Sequence, residues 1–183
     1  HPVHLVIEWG KPQEKVPLGA NLIEPAIPWE ARHLGSLEGS MRQADRLGAA
    51  CVGHGVIHHL IDLGNPAIAR DYEAWWRERY KRYRNHASVF IYGLGINSPG
   101  NFMDFDPWKL GRRSNLDWTN LATSLAYQIH KRVAPQEAFY FHGGPRGGDI
   151  STGNFYVNHI PTQEVEDWFS HWAKAGDMPI MLW

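Results

Sequence analysis

The stretch from residue 82 to residue 98, RYRNHASVFIYGLGINS, joins the end of an amphipathic helix to a strand. Its centre, residues 87–95, is continuously apolar rather than alternating, which is typical of a strand buried on both faces of a parallel sheet. Catalytic and binding residues of parallel α/β folds follow the carboxyl ends of such strands. Ile96 and Asn97 follow this one, so its exit carries an amide and no carboxylate.

Helix-like and strand-like segments alternate on both sides of this stretch. The helix before it places Tyr72, Trp76, Tyr80 and Tyr83 on one face, at spacings of four, four and three. In chain order, the sequence predicts a helix over 40–48, a strand over 49–61, a helix over 65–86, a strand over 87–95, a loop over 98–115, a helix over 117–133, a strand over 138–142, a glycine-rich loop over 143–154, a strand over 155–160, a helix over 162–176 and a strand over 178–183. This order predicts an α/β fold with a parallel sheet and right-handed crossovers, either an open sheet or part of an eight-stranded barrel.

The first forty residues are less regular. Residues 1–9 fit a strand, whereas residues 11–35 are punctuated by prolines and predict an extended loop. We therefore expect a single domain over residues 1–183, with an irregular segment over 1–40 and regular βα units over 41–183. The sequence begins at His1 without a methionine and ends directly after a strand-like run, so we expect the domain to be part of a longer protein.

Composition narrows the classes of partner. The chain has 183 residues, 43% of them hydrophobic, and a net charge of -1, so no basic field indicates nucleic acid and no cationic stripe indicates a membrane surface. Its one cysteine, Cys51, excludes an internal disulfide framework and lies in an apolar run, which predicts a buried, inert thiol. Nine tryptophans fit a large core, and equally a cleft in which rings stack on sugars. Trp9, Trp29 and Trp108 lie in segments that resemble loops and are the candidates for stacking.

The predicted strand exits supply the candidate site residues. They are His54, His58 and His59; Asn97 and Ser98; His142, Arg146 and Asp149; and Asn158 and His159. The spacing of His54, His58 and His59 is compatible with zinc ligands, but it lacks the paired spacing and helical context of zinc motifs, so we predict no metal. The glycine-rich loop over 143–154 lacks the Gly-Lys-Ser/Thr and dinucleotide patterns, so we predict no phosphate cradle and no cofactor.

The opening stretch resembles the signature of the β-galactosidase and β-glucuronidase group of glycoside hydrolases. That signature reads approximately Arg-Asn-His-Pro-Ser, an apolar strand, and then Leu-Gly-Asn-Glu. The matching positions are Arg84, Asn85, His86, Ser88, the apolar residues 89–91, Leu94 and Gly95, with Ala87 where proline is usual. The order of elements extends the resemblance more loosely over residues 41–183.

The resemblance implies a (β/α)8 barrel, which we expect to be incomplete, with about five or six βα units present and the first and last strands lacking. It also implies retaining hydrolysis of β-linked sugars by two carboxyl groups about 5 Å apart, with no metal or cofactor. The position of the acid/base glutamate falls on Ile96 and Asn97, and the position of the nucleophile follows Trp183. We therefore expect weak or absent hydrolysis by this chain, since Asp104 and Asp106 are loop carboxylates of the kind that is usually solvated.

Three functions remain open at this point: a glycoside hydrolase, a carbohydrate-binding pseudoenzyme, and a histidine-metal hydrolase on an α/β barrel. For the first two, the candidate substrate-binding residues are His54, His58, Trp108, His142, Asn158 and His159. The expected partners are a carbohydrate ligand and, through open sheet edges, further chain or a second copy. The resemblance implies a secreted or periplasmic protein.

Overall fold

A computed structural model of the protein describes residues 7–25, 34–54, 61–94, 118–141, 148–153, 170, 173–174 and 178–182. Its strands are β1 (Ile7–Trp9), β2 (Leu22–Glu24), β3 (Ala50–His54), β4 (Val89–Leu94), β5 (Ala138–Phe141), β6 (Ser151–Gly153) and β7 (Ile180–Leu182). Its helices are α1 (Pro12–Lys15), a 3-10 helix (Val16–Leu18), α2 (Leu34–Leu47), α3 (Pro66–Tyr83) and α4 (Trp118–Val133). None of the described helices is long and apolar enough to cross a membrane.

The described strands are parallel and follow chain order across the sheet. Strands β1 to β5 form one sheet in the order β1-β2-β3-β4-β5, and β6 pairs with β7. A parallel bridge between Tyr140 and Ile150 links the two groups. The predicted α/β class and parallel pairing are therefore confirmed. A doubly wound sheet reverses its strand order at a switch point, and the five-stranded sheet has no such reversal.

Helix α3 begins and packs as its sequence predicts. Asn65 precedes it with extended backbone, accepts a hydrogen bond from the backbone N–H of Ala67 at 3.0 Å, and is followed by Pro66 in the first turn. Trp76 is fully buried, and its ring lies 4.1 Å from that of His130 of α4, centroid to centroid. Helices α3 and α4 thus cover one face of β4 and β5, which we call the helix face.

The opposite face of the sheet has its own core. Leu22, Val52, Ile91 and Tyr140, one residue from each of β2 to β5, form a buried cluster there. Ile150 and Met181, from the β6 and β7 side, pack against the same cluster. Both faces of the central strands are therefore covered by protein, as the continuous apolar pattern predicts.

The structure corrects three predictions for short segments. Residues 11–35, predicted as a loop, contain α1, the 3-10 helix, β2 and the start of α2, and Trp9 lies in β1. The predicted loop over 143–154 contains β6. Strands of three residues are too short for a periodic pattern to reveal. The predicted strand over 155–160 lies outside the described residues.

Candidate functional site

Polar side chains from three strands meet on the face opposite the helices, toward the carboxyl ends of β2 and β3. Glu24 is the last residue of β2 and His54 the last of β3, and Tyr140 lies in β5. The Tyr140 hydroxyl donates a hydrogen bond to Oε1 of Glu24 at 2.9 Å. Nε2 of His54 lies 3.0 Å from the same oxygen. We call Glu24, His54 and Tyr140 the Glu24 cluster.

The alternation of strand side chains explains why these residues meet. Glu24 and His54 each follow an apolar residue of the opposite-face core, Leu22 and Val52, by two positions. Side chains two positions apart point to the same face of a strand. The cluster is therefore the next layer of that core toward the carboxyl ends, and it is polar where the layer below is apolar.

Gly93 of β4 makes room for the cluster. It pairs in register with His54 on one side and with Tyr140 on the other. A Cβ at Gly93 would lie 2.8 Å from Cε1 and 2.9 Å from Nδ1 of His54, and 2.9 Å from the Tyr140 hydroxyl. Atoms do not approach so closely without displacement, so the two side chains occupy the space that a larger residue in β4 would fill.

The cluster is closed off from solvent. Glu24 and Tyr140 are 0% exposed and His54 is 2% exposed. A buried carboxylate is costly unless charge or hydrogen bonds compensate it, and the Tyr140 hydroxyl provides one such hydrogen bond. Burial, followed by the charge of Glu24, raises the pKa of Tyr140 well above its ordinary value, so the phenol remains a donor. Chemically, the cluster can hold a proton and orient an imidazole; its burial does not present either to bulk solvent.

Of the predicted site residues, His54 is the one that the structure places at a strand end with polar partners. Its Nδ1 has no hydrogen-bond partner among the described residues. Apart from Asp149, the other predicted site residues lie outside the described part of the chain; they are His58, His59, Asn97, Ser98, Trp108, His142, Arg146, Asn158 and His159. The described residues include no group of three or more His, Cys, Asp or Glu side chains arranged to hold a metal ion.

Asp149, predicted at a strand exit, lies at the other end of the sheet. Its Oδ2 accepts hydrogen bonds from the backbone N–H of Phe139 at 2.9 Å and from Lys131 Nζ at 3.1 Å, and its Oδ1 accepts one from the Tyr127 hydroxyl at 2.7 Å. Burial raises the pKa of Asp149, but these hydrogen bonds outweigh it, so the net pKa is lowered. Asp149 thus joins α4 to the beginning of β5, and its role is structural.

The signature residues that precede β4 are structural as well. Asp45 of α2 accepts hydrogen bonds from the backbone N–H of Ser88 at 2.8 Å, and its other oxygen lies 2.6 Å from Nδ1 of His86. The Asn85 side chain donates to the backbone carbonyl of Lys81 at 3.0 Å. These contacts fix the junction of α3 and β4 at the amino end of the strand. The described contacts of Asn85, His86 and Ser88 therefore hold the start of β4.

Glu24 and Tyr140 are candidate site residues that the sequence analysis does not find. Glu24 ends the apolar run Leu22-Ile23 directly before Pro25, which is a strand-exit pattern. The proline-rich context hides this pattern, because it predicts an extended loop over the three residues of β2. Tyr140 was assigned to the correct strand, but alternation alone does not tell which face a residue in a continuously apolar strand occupies.

Comparisons with known proteins identify the fold. No protein-family model matches the sequence, and no curated protein matches it. Among solved structures, the chain is similar to a GH2 β-galacturonidase from Eisenbergiella tayi bound to galacturonate, with 16% identity and a TM-score of 0.61 over 93% of this chain. It is also similar to a β-D-glucuronidase from Dictyoglomus thermophilum (14% identity, TM-score 0.57, 92% of this chain) and a putative β-galactosidase from Bacteroides fragilis (16%, 0.57, 93%).

The chain spans about a third or less of these structures: 30% of the first two and 24% of the third. At these identities the likeness is one of fold. The chain therefore has the fold of part of the β-glycosidases to which it is similar, in agreement with the resemblance of residues 82–98.

Proposed function

We propose that this chain forms most of a (β/α)8 barrel of the β-glycoside hydrolase type and binds β-linked sugars at the carboxyl ends of its strands. The observation that carries the proposal is the Glu24 cluster, a buried carboxylate with an imidazole and a phenol at the ends of parallel strands in chain order. Active sites of such barrels lie at this end. Packing of Ile150 and Met181 on the core of β2 to β5 supports a sheet that curls around that core.

The reaction of such a barrel is retaining hydrolysis with two carboxyl groups, one to protonate the leaving oxygen and one to attack the anomeric carbon. At the sequence position of the acid/base group this chain has Asn97. An amide forms hydrogen bonds but does not donate a proton at neutral pH. The cleavage step is therefore the one we expect to be impaired.

A second candidate function follows from the same amide: a carbohydrate-binding pseudoenzyme that keeps the cleft without its acid/base group. In both cases the proposed ligand-binding residues are His58, Trp108, His142, Asn158 and His159, with His54 in the polar layer at the strand ends. Both are carbohydrate-directed and need no metal or cofactor in their chemistry. They differ in turnover.

The test separates turnover from binding. The purified chain is incubated with 4-nitrophenyl β-D-galactoside, β-D-glucuronide and β-D-galacturonide, and binding of the methyl β-glycosides of the same sugars is followed by titration calorimetry. We expect saturable binding of at least one sugar with little or no release of nitrophenol. Rapid release that Asp104→Ala or Asp106→Ala abolishes would show that a loop carboxylate replaces the missing acid. The absence of both binding and turnover for all three sugars would refute the carbohydrate function.

A further inference from the structure

In the Glu24 cluster, the side chains of Tyr140 and His54 both approach one oxygen of Glu24. Oε1 of Glu24 lies 2.9 Å from the Tyr140 hydroxyl and 3.0 Å from Nε2 of His54. The phenol donates its hydrogen, because a phenol whose pKa is raised by burial keeps its proton. The oxygen thus accepts from one side and faces a ring nitrogen on the other.

Electrostatics decides whether that ring nitrogen, Nε2 of His54, carries a proton. A neutral imidazole has one protonated and one bare nitrogen, and the neighbouring groups select between the two forms. A bare Nε2 is the negative end of the ring dipole, and it would lie 3.0 Å from a carboxylate oxygen, which is repulsive. A protonated Nε2 faces the same oxygen with a positive hydrogen. Nε2 makes no hydrogen bond of good geometry with Oε1, so the preference comes from the attraction between the ring N–H dipole and the carboxylate rather than from an ideal hydrogen bond.

We propose that Glu24 and Tyr140 are positioning residues that hold His54 with its proton on Nε2, so that the imidazole has one fixed orientation and one fixed charge pattern at the carboxyl end of β3. Tyr140 fixes the carboxylate, and the carboxylate fixes the ring. Gly93 admits both side chains because it has no Cβ. The role of the oriented ring rests on the proposed function: we expect it to support the sugar site at the carboxyl ends of the strands.

The direct test is the ¹⁵N spectrum of the histidine side chains at neutral pH, because the chemical shifts of Nδ1 and Nε2 report which one carries the proton. The His54 signals are assigned by their loss in His54→Gln. The sample contains an internal control: Nδ1 of His86 lies 2.6 Å from the carboxylate of Asp45. The same reasoning therefore places the proton of His86 on Nδ1, whereas it places that of His54 on Nε2.

We expect a protonated Nε2 on His54 in the wild-type chain, and displaced His54 shifts in Glu24→Gln and Tyr140→Phe with His86 unchanged. The control variant Asp45→Asn should displace the His86 signals and leave those of His54 in place. A bare Nε2 on His54, or His54 shifts that Glu24→Gln leaves unchanged, would overturn the proposal. A merely structural role for Glu24 would alter stability without selecting a tautomer.

Sugar binding is measured in a separate experiment. Methyl β-D-galactoside and methyl β-D-glucuronide are titrated into wild-type and Glu24→Gln protein, and a weaker affinity in the variant supports positioning for the sugar site. Equal affinities in the two proteins would overturn that role while the proposed function stands. Absence of binding to the wild-type chain would refute the proposed function, and the tautomer result would still decide whether Glu24 positions His54.

Discussion

At the scale of single residues, the account depends on Gly93 of β4, which leaves room for Tyr140 to reach Glu24 across the strand and for His54 to pack beside it. Its counterpart is Gly53 of β3, where a Cβ would lie 2.6 Å from Cδ1 of Tyr92 and 3.1 Å from Cγ1 of Val89, both in the core of the helix face. The two glycines are therefore matched positions with opposite surroundings, one against the polar cluster and one against the aromatic core.

This symmetry gives a prediction with its own control. Gly93→Ala and Gly53→Ala should each lower the free energy of unfolding by about 1–3 kcal/mol, since both overpack a close contact, as measured by urea denaturation. Gly93→Ala alone should displace the ¹⁵N signals of His54. Displacement of those signals by Gly53→Ala to the same extent would mean that the ring responds to any strain in the sheet.

The residue scale also shows what sequence can reveal. The position of His54 at the end of β3 was predictable, because it follows an apolar run and sits at an exit. The burial of His54 and its contact with Glu24 were not predictable, because Glu24 is 30 positions away and the pairing of β2 with β3 depends on tertiary structure. Cys51 was predicted to be buried and is 0% exposed, and burial raises the pKa of its thiol to about 12.

At the scale of elements, the joint between α4 and the start of β5 is held by one carboxylate. Asp149 accepts from Phe139, Lys131 and Tyr127, and its pKa is lowered on balance. A carboxyl whose pKa is lower in the folded chain than in the unfolded one stabilises the fold above its ordinary pKa. That contribution is lost as pH falls through the lowered value.

Asp149→Asn should therefore reduce the free energy of unfolding at neutral pH by about 1–2 kcal/mol, the lower part of the range for hydrogen bonds to a charged group, because solvent screens the partly exposed carboxylate. The difference from the wild-type chain should shrink as pH falls below the ordinary pKa of aspartate. Asp71→Asn, on the exposed side of α3, makes the same chemical change as a control and should have little effect. An Asp149→Asn deficit that persists unchanged into strong acid would contradict the assignment.

Long helices and buried strands were predictable as elements, and short ones were not. The predicted helix over 65–86 is α3, and the predicted strand over 87–95 contains β4, because each carries a long pattern and clear end signals. β2 and β6 have three residues each and are set by pairing with neighbouring strands. The resemblance at residues 84–88 agrees with the β-glycosidase structures to which the chain is similar, and the described contacts of these residues serve the α3–β4 junction.

At the scale of the whole molecule, seven described parallel strands follow chain order, and side chains from β2 to β5 share a core with Ile150 and Met181. This arrangement has a defined polarity: structural ion pairs such as Lys131–Asp149 lie toward the amino ends, and the Glu24 cluster lies toward the carboxyl ends. Such a division agrees with the barrel that we propose, in which the carboxyl ends of the strands carry the site.

The central claim is that the carboxyl end is a carbohydrate site supported by the Glu24 cluster, and one calorimetric comparison tests it. A β-glycoside that the wild-type chain binds is titrated into Tyr140→Phe, which removes a hydroxyl at the carboxyl end, and into Tyr127→Phe, which removes one beside Asp149 at the amino end. The account predicts about tenfold weaker binding in Tyr140→Phe, equivalent to about 1.4 kcal/mol, and unchanged binding in Tyr127→Phe. Equal affinities in both variants and the wild-type chain, or no binding of any β-glycoside, would contradict it.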